Sequence, residues 1–144
     1  MGLLNIASVP AAAVSPDTTV LSAVELMNRQ RVGAVAIVEG GKLSGIFTER
    51  DVMNRVVLTG RDPRTTPVSE VMTADVEAVS PEMSSGEALR IMVDRHFRHL
   101  PVVDAERGVL GLLSVRDLLQ HAVEELSHEL DSVVNFYSAD GPGG

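Results

Sequence analysis

The sequence predicts a mixed α/β fold, α+β in layout, made of two β-α-β-β-α repeats packed as a pseudo-two-fold pair. Three observations predict it. "AVSP" occurs at 13–16 and again at 78–81. "GIFTERD" at 45–51 returns as "GLLSVRD" at 111–117, with Gly, two apolar residues, Thr or Ser, and a closing Arg-Asp in the same order. Between these anchors Ala23 matches Ala88, Met27 matches Met92 and Val38 matches Val103 at a constant offset of 65. The offset grows to 66 only past "EGGK" and "DAERG", polar Gly-containing stretches where a hairpin takes an insertion.

Each repeat opens with a short extended segment ending at "AVSP". A helix follows. Val20, Ala23, Val24 and Met27 fall at i, i+3, i+4 and i+7, and Ala88, Leu89 and Met92 repeat the stripe. Thr19 and Ser84 are the predicted N-caps, and Ser84 with Glu87 has the capping-box spacing. The apolar runs "AVAIV" and "LPVVD" are short and rich in β-branched residues, as buried strands are. After a turn, "LSGIF" and "VLGLL" form the second strands, and a helix starts after Thr48 or Ser114. The last helix runs long, with Leu119, Ala122, Val123, Leu126 and Leu130 on one face. These readings place a first repeat at 7–59, a linker at 60–70 marked by the polar "TGRDPRTTP" (59–67), a second repeat at 71–127, and a helical extension with a Gly-rich flexible tail at 128–144. A half of this size is marginal alone, so the two halves must share a core.

Composition narrows the function. The chain has 144 residues, 44% hydrophobic and 22% charged, with 3% aromatics, so small aliphatic side chains and Met must fill the core. Met27 and Met92, on helical stripes, are core filler. The net charge of −8 argues against nucleic acid and against an anionic membrane surface, since both need a basic face. All the cations but Lys42 are Arg, whose planar fork suits a phosphate held locally. There is no Cys, which excludes disulfides, thiolate metal sites and thiol nucleophiles. "MGLLNIASVP" lacks the basic segment of a signal peptide, Ile6 breaks the myristoylation pattern, and no run reaches the ~18 apolar residues of a membrane span; the expected location is cytoplasmic. The His96/His99 and His121/His128 pairs lack the converging acids of a metal site, and none is expected. No nucleophile elbow, zincin helix or Walker loop is present, so the chain is expected not to be an enzyme.

The paired heptad admits two readings. In one, Thr48-x-x-Asp51 and Ser114-x-x-Asp117 are capping boxes that open helices and need no ligand. In the other, the same strand-to-helix junction holds a nucleotide. The helix start favours a phosphate, the hydroxyl can donate to it, the Asp can accept from both hydroxyls of a ribose, and the strand-end apolar residue lies against a base. Arg50 and Arg116 can reach a phosphate or form surface ion pairs.

The double unit resembles a tandem pair of cystathionine-β-synthase-type (CBS) domains, often called a Bateman module. "VMT" at 71–73, "AVSP" twice, "HLPVVD" at 99–104, "GIFTERD" and "GLLSVRD" carry the resemblance, which spans about residues 7–126. It implies two clefts for adenosine-containing ligands, here AMP, ADP or ATP, with S-adenosylmethionine or NAD less favoured. It implies that Asp51 and Asp117 hold ribose hydroxyls, that Thr48 and Ser114 sit near phosphate or ribose, and that Ile46 and Leu112 contact the base. Val32 and Phe97 would line the base pocket, and Arg98 and His99 would lie near phosphate. It also implies a homodimer of pairs, no resident cofactor, and output to a protein partner. The first half departs from the pattern: "NIASVP" replaces "VMT", Gly33 and Ala34 replace Arg98 and His99, and Ala36 stands opposite Pro101. The clefts are therefore expected to differ. The competing expectation is a dimerisation scaffold with vestigial clefts. Leu126, Leu130, Val133, Val134, Phe136 and Tyr137, past the repeat, either dock on the domain or form a partner or dimer surface.

Overall fold

The structure is a computed structural model that describes residues 2–140, with side chains up to 135. The first half runs β1 (Ala13–Val14), α1 (Val20–Gln30), β2 (Ala34–Glu39), β3 (Lys42–Thr48) and α2 (Glu49–Asp51), which continues as a π-helix over Val52–Val57. The second runs α3 (Ser85–Arg95), β4 (His99–Val103), β5 (Val109–Ser114) and α4 (Val115–Asp140). The α/β class predicted from the repeat is the class observed. Ser138–Asp140, expected in a flexible tail, instead belong to α4; the rest of that tail, 141–144, lies outside the described residues. No helix among the described residues is long and apolar enough to cross a membrane.

The sheets explain the continuous apolar runs. β2 is antiparallel to β3 and parallel to β1; β4 is antiparallel to β5. Side chains alternate across each strand. Val35, Ile37 and Phe47 face α1 in a first core, while Ala34, Ala36 and Ile46 face the other half, meeting Leu112 and Val103. Leu100, Val102 and Leu113 build the matching second core with Ala88 and Met92. Both faces of β2 are thus buried, so its sequence shows no polar alternation.

One predicted strand shrinks to a single bridge, and the cause is one residue. In the first half Ala36 N donates to the carbonyl of Ala12 (2.8 Å), extending β1. Pro101 occupies the matching position and has no N–H to donate. The second "AVSP" segment therefore pairs only through Val79, to Pro101 O (3.0 Å) and from Val103 N (2.9 Å).

Each half completes the other. Thr73 exchanges two hydrogen bonds of 2.9 Å with Ile46, and Ser8 exchanges bonds of 2.9 and 3.1 Å with Leu112. Leu3 packs fully buried in the second core, and Val68 and Val71 in the first. The 60–70 segment, expected as a linker, is structured. Its Thr66 and Pro63 carbonyls accept from Val20 N and Leu21 N (both 2.9 Å), closing the open amides at the start of α1.

The Gly that opens each heptad has a steric reason. A Cβ on Gly45 would lie 2.8 Å from Thr73 O, and one on Gly111 would lie 3.1 Å from Ser8 O. The crossing entry segment needs that space.

Candidate functional site

The two heptads fold alike and bond differently. At the first, Thr48 Oγ1 accepts from Asp51 N (3.3 Å), and Asp51 Oδ2 accepts from Thr48 N (3.0 Å) and from the Thr48 hydroxyl (3.3 Å). Asp51 Oδ1 also lies 3.6 Å from Arg55 Nε. The carboxylate is buried and occupied within its own capping box. Burial raises its pKa above the usual 3.8, against the lowering pull of the Thr48 amide, Arg55 and the Thr48 hydroxyl.

At the second heptad, Ser114 Oγ accepts from Asp117 N (3.0 Å), so the cap is half made. The reciprocal bond is absent. Among the described residues the Asp117 carboxylate accepts no hydrogen bond, and the Ser114 hydroxyl donates none. Ser84 also makes only the first half of its predicted box, accepting from Glu87 N (3.1 Å). The anion-holding capacity expected of the α4 start is partly spent, because Val115 N donates to Arg98 O (2.8 Å) and Asp117 N to Ser114.

Asp117 and Ser114 open into a cleft of about 920 Å³, within the range of small-molecule sites. Val32, Leu112, Arg98, His99 and Arg116 line it with them. Ile46, Thr48, Asp51 and Phe97 do not. Ile46 is buried against Ala34 and Leu112 between the sheets, and Phe97 follows the α3 C-cap with a third of its surface exposed.

The cleft also takes residues that the sequence reading missed. Arg31, at the end of α1, adds a third exposed guanidinium beside Arg98 and Arg116. Glu49 adds a second acid, Ser8 a hydroxyl, and Asn28 and Gln120 amides. A signal existed for two of them. Arg31 sits 65 residues before His96, and both cap their helices at positive φ, 55° and 60°. Ser8 sits 65 before Thr73, so "NIASVP" does fill the place of "VMT".

His99 reaches across the pseudo-two-fold to Gly33, where a Cβ would come within 3.2 Å of its ring and would also strike the Glu49 carboxylate. Gly33 is small because the other half's histidine occupies that space. Burial lowers the His99 pKa below 6.5; Glu49 and Asp117 oppose the shift and Arg98 adds to it. The ring is therefore neutral near pH 7. Among the described residues no cluster of three or more metal-ligating side chains occurs.

The CBS domain family model matches residues 5–58 and 68–124. The CBS domain-containing protein YhcV of Bacillus subtilis (strain 168) is 40% identical over 118 residues, covering 82% of this chain and 81% of that protein. A solved protein with CBS domains from Burkholderia ambifaria MC40-6 superposes with a TM-score of 0.78 at 32% identity, covering 86% of this chain and 95% of that one. The CBS domain pair of protein MJ0100, solved with 5′-methylthioadenosine and S-adenosyl-L-methionine, shares the fold at 21% identity, with a TM-score of 0.77 over 87% of this chain and 98% of that one. With both of its repeats matched by the family model, this chain belongs to the CBS domain family.

Proposed function

We propose that the chain is a non-catalytic regulatory module that takes an adenosine-containing nucleotide, of the AMP or ADP class before ATP, in the cleft at Asp117. The observation that carries this is the unspent carboxylate of Asp117 beside the free Ser114 hydroxyl, in a cleft with three guanidinium groups. A ribose diol can donate twice to Asp117, Leu112 and Val32 offer an apolar wall for the base, and Arg31, Arg98 and Arg116 face the phosphate side. Charge balance favours few phosphates, since Glu49 shares the same walls. Because the cleft draws on both halves, a bound nucleotide bridges them. It shifts their arrangement by its differential affinity for the two shapes, and a partner protein reads that shift.

Thermal unfolding with AMP, ADP, ATP, S-adenosylmethionine and NAD, each at saturating concentration, tests the reading. A ligand at a hundred times its Kd adds about 2.7 kcal/mol. A rise in Tm with AMP or ADP supports the proposal. An unchanged Tm with every adenosine compound overturns it in favour of a scaffold with vestigial clefts.

A further inference from the structure

The C-terminal half of α4 leaves the body of the protein. Leu118 is still in the second core, but from 123 through 135 every residue is exposed. The segment 123–140 projects on the order of 27 Å at 1.5 Å per residue. A lone helix of this length is marginal in water. It is nevertheless apolar along one line: Leu119, Val123, Leu126, Leu130 and Val133 are between 50% and 65% exposed.

The spacing identifies the occupant of that line. The steps are 4, 3, 4 and 3, and the sequence continues the pattern to Tyr137. These steps fit the a and d positions of a left-handed coiled coil, and their exposure shows that the stripe does not lie on the globular body. The acids Glu124, Glu125 and Asp131 fall at outer positions, away from the seam. The flanking positions hold Gln120, Ala122, Ser127, Glu129 and Val134. A second copy laid parallel and in register sets Glu129 against Val134, so a chain of net charge −8 meets itself with no like charges across the seam. Five half-exposed Leu and Val per copy bury on the order of 1,000 Å² in all, the lower bound for a specific interface.

We infer that α4 pairs with α4 of a second copy as a parallel two-stranded coiled coil centred on Leu126 and Leu130. The inference is independent of the nucleotide reading. Sedimentation equilibrium of the full chain should give at least two copies, and the double variant Leu126→Glu/Leu130→Glu should halve the mass, with the dimer Kd up at least ~100-fold (about 2.7 kcal/mol). Both positions are exposed, and an unchanged urea midpoint for the body shows that the fold is kept. Because the chain lacks Cys, Val133→Cys is a clean probe: mild oxidation should cross-link the copies at this seam position. A wild type that stays a single chain at ~100 µM, a double variant that keeps its mass, or a Val133→Cys dimer that fails to cross-link would each overturn the inference.

Discussion

Asp51 and Asp117 occupy the same place in the repeat, yet the structure sets their alanine variants apart. Asp117→Ala removes a carboxylate that makes no internal bond, so its cost to stability is limited to the favourable charge at a helix start, about 0.3–1 kcal/mol. Its cost to binding is larger. Two ribose hydroxyls donating to one carboxylate are charge-assisted bonds, and after the desolvation of that carboxylate about 2–3 kcal/mol remains, a Kd increase of roughly 30- to 150-fold. Asp51→Ala reverses the pattern. It strands the Thr48 amide and removes the ion pair to Arg55, costing about 1 kcal/mol as lost caps do, and part of that is returned because a buried charge disappears. Its effect on nucleotide affinity should be under about threefold, less than ~0.7 kcal/mol. Calorimetric titration with AMP, alongside urea unfolding of both variants, reads the two axes at once. Equal losses of affinity in the two variants, or wild-type affinity in a folded Asp117→Ala protein, would refute the assignment of the site to the second heptad.

Three further outcomes follow from single contacts. Arg31→Gly relieves a left-handed residue and should stabilise the fold by about 1 kcal/mol while weakening nucleotide binding; a variant that gains stability and keeps full affinity removes Arg31 from the site. Gly45→Ala should lower thermal stability by about 2–3 kcal/mol and Gly111→Ala by about 1, because the first Cβ would press on a backbone oxygen at 2.8 Å and the second at 3.1 Å; the reverse order would show that the entry segments do not cross as described. His99 is held neutral by burial, so its folded pKa lies below its unfolded value of 6.5. Its contribution to stability is complete above that value and is lost as pH falls through 6.5 toward the lowered folded pKa. Asp51, whose pKa is raised, works in the opposite sense, losing stability as pH rises above 3.8. Wild-type Tm should therefore drop more steeply below pH 6.5 than that of His99→Gln; parallel profiles would show that the ring does not titrate in the fold.

Much of the architecture was legible because duplication made each half a check on the other. The stripes at Val20, Ala23 and Met27 and at Ala88 and Met92 are buried where the period puts them. The caps at Thr19 and Ser84 accept the amides of Ser22 and Glu87. The same symmetry hid what differs. Nothing in the spacing of Pro101 announces that it deletes the one ladder bond that makes β1 a strand, although its missing N–H is a sequence fact. The heptads could be read as capping boxes or as ligand junctions, and the structure has a full box at Asp51 and half of one at Asp117. Asp51 is spent on Thr48 within the heptad and held further by Arg55 outside it, whereas the same seven-residue pattern leaves Asp117 open. Glu49 stands inside the first heptad yet lines the cleft of the second, and Arg31 comes from the end of α1, because the cleft is built from both halves.

The swap of entry segments gives this asymmetry a consequence. Ser8, from the start of the chain, pairs with the strand that ends at Ser114, and Arg31 and Val32 close the cleft from the first half. A ligand held at Asp117 therefore touches three segments that are distant in sequence and packed around the central contacts of Ala34, Ile46 and Leu112. That central layer is small and aliphatic, and interiors so packed shift between discrete arrangements more readily than they stretch. Asp117 sits in the first turn of α4, and the exposed apolar line lies on the same helix beyond Leu118. A rigid helix transmits a tilt at its first turn along its whole length. The device needs no third element between ligand and partner: whatever reorients the first turn of α4 also reorients the line from Leu126 to Val133. A nucleotide that tightens dimerisation must then bind the dimer more tightly by the same factor, a reciprocity that titrating AMP against the Leu126→Glu/Leu130→Glu variant would measure. Equal AMP affinity in that variant and in the wild type would mean that the two ends of α4 are uncoupled.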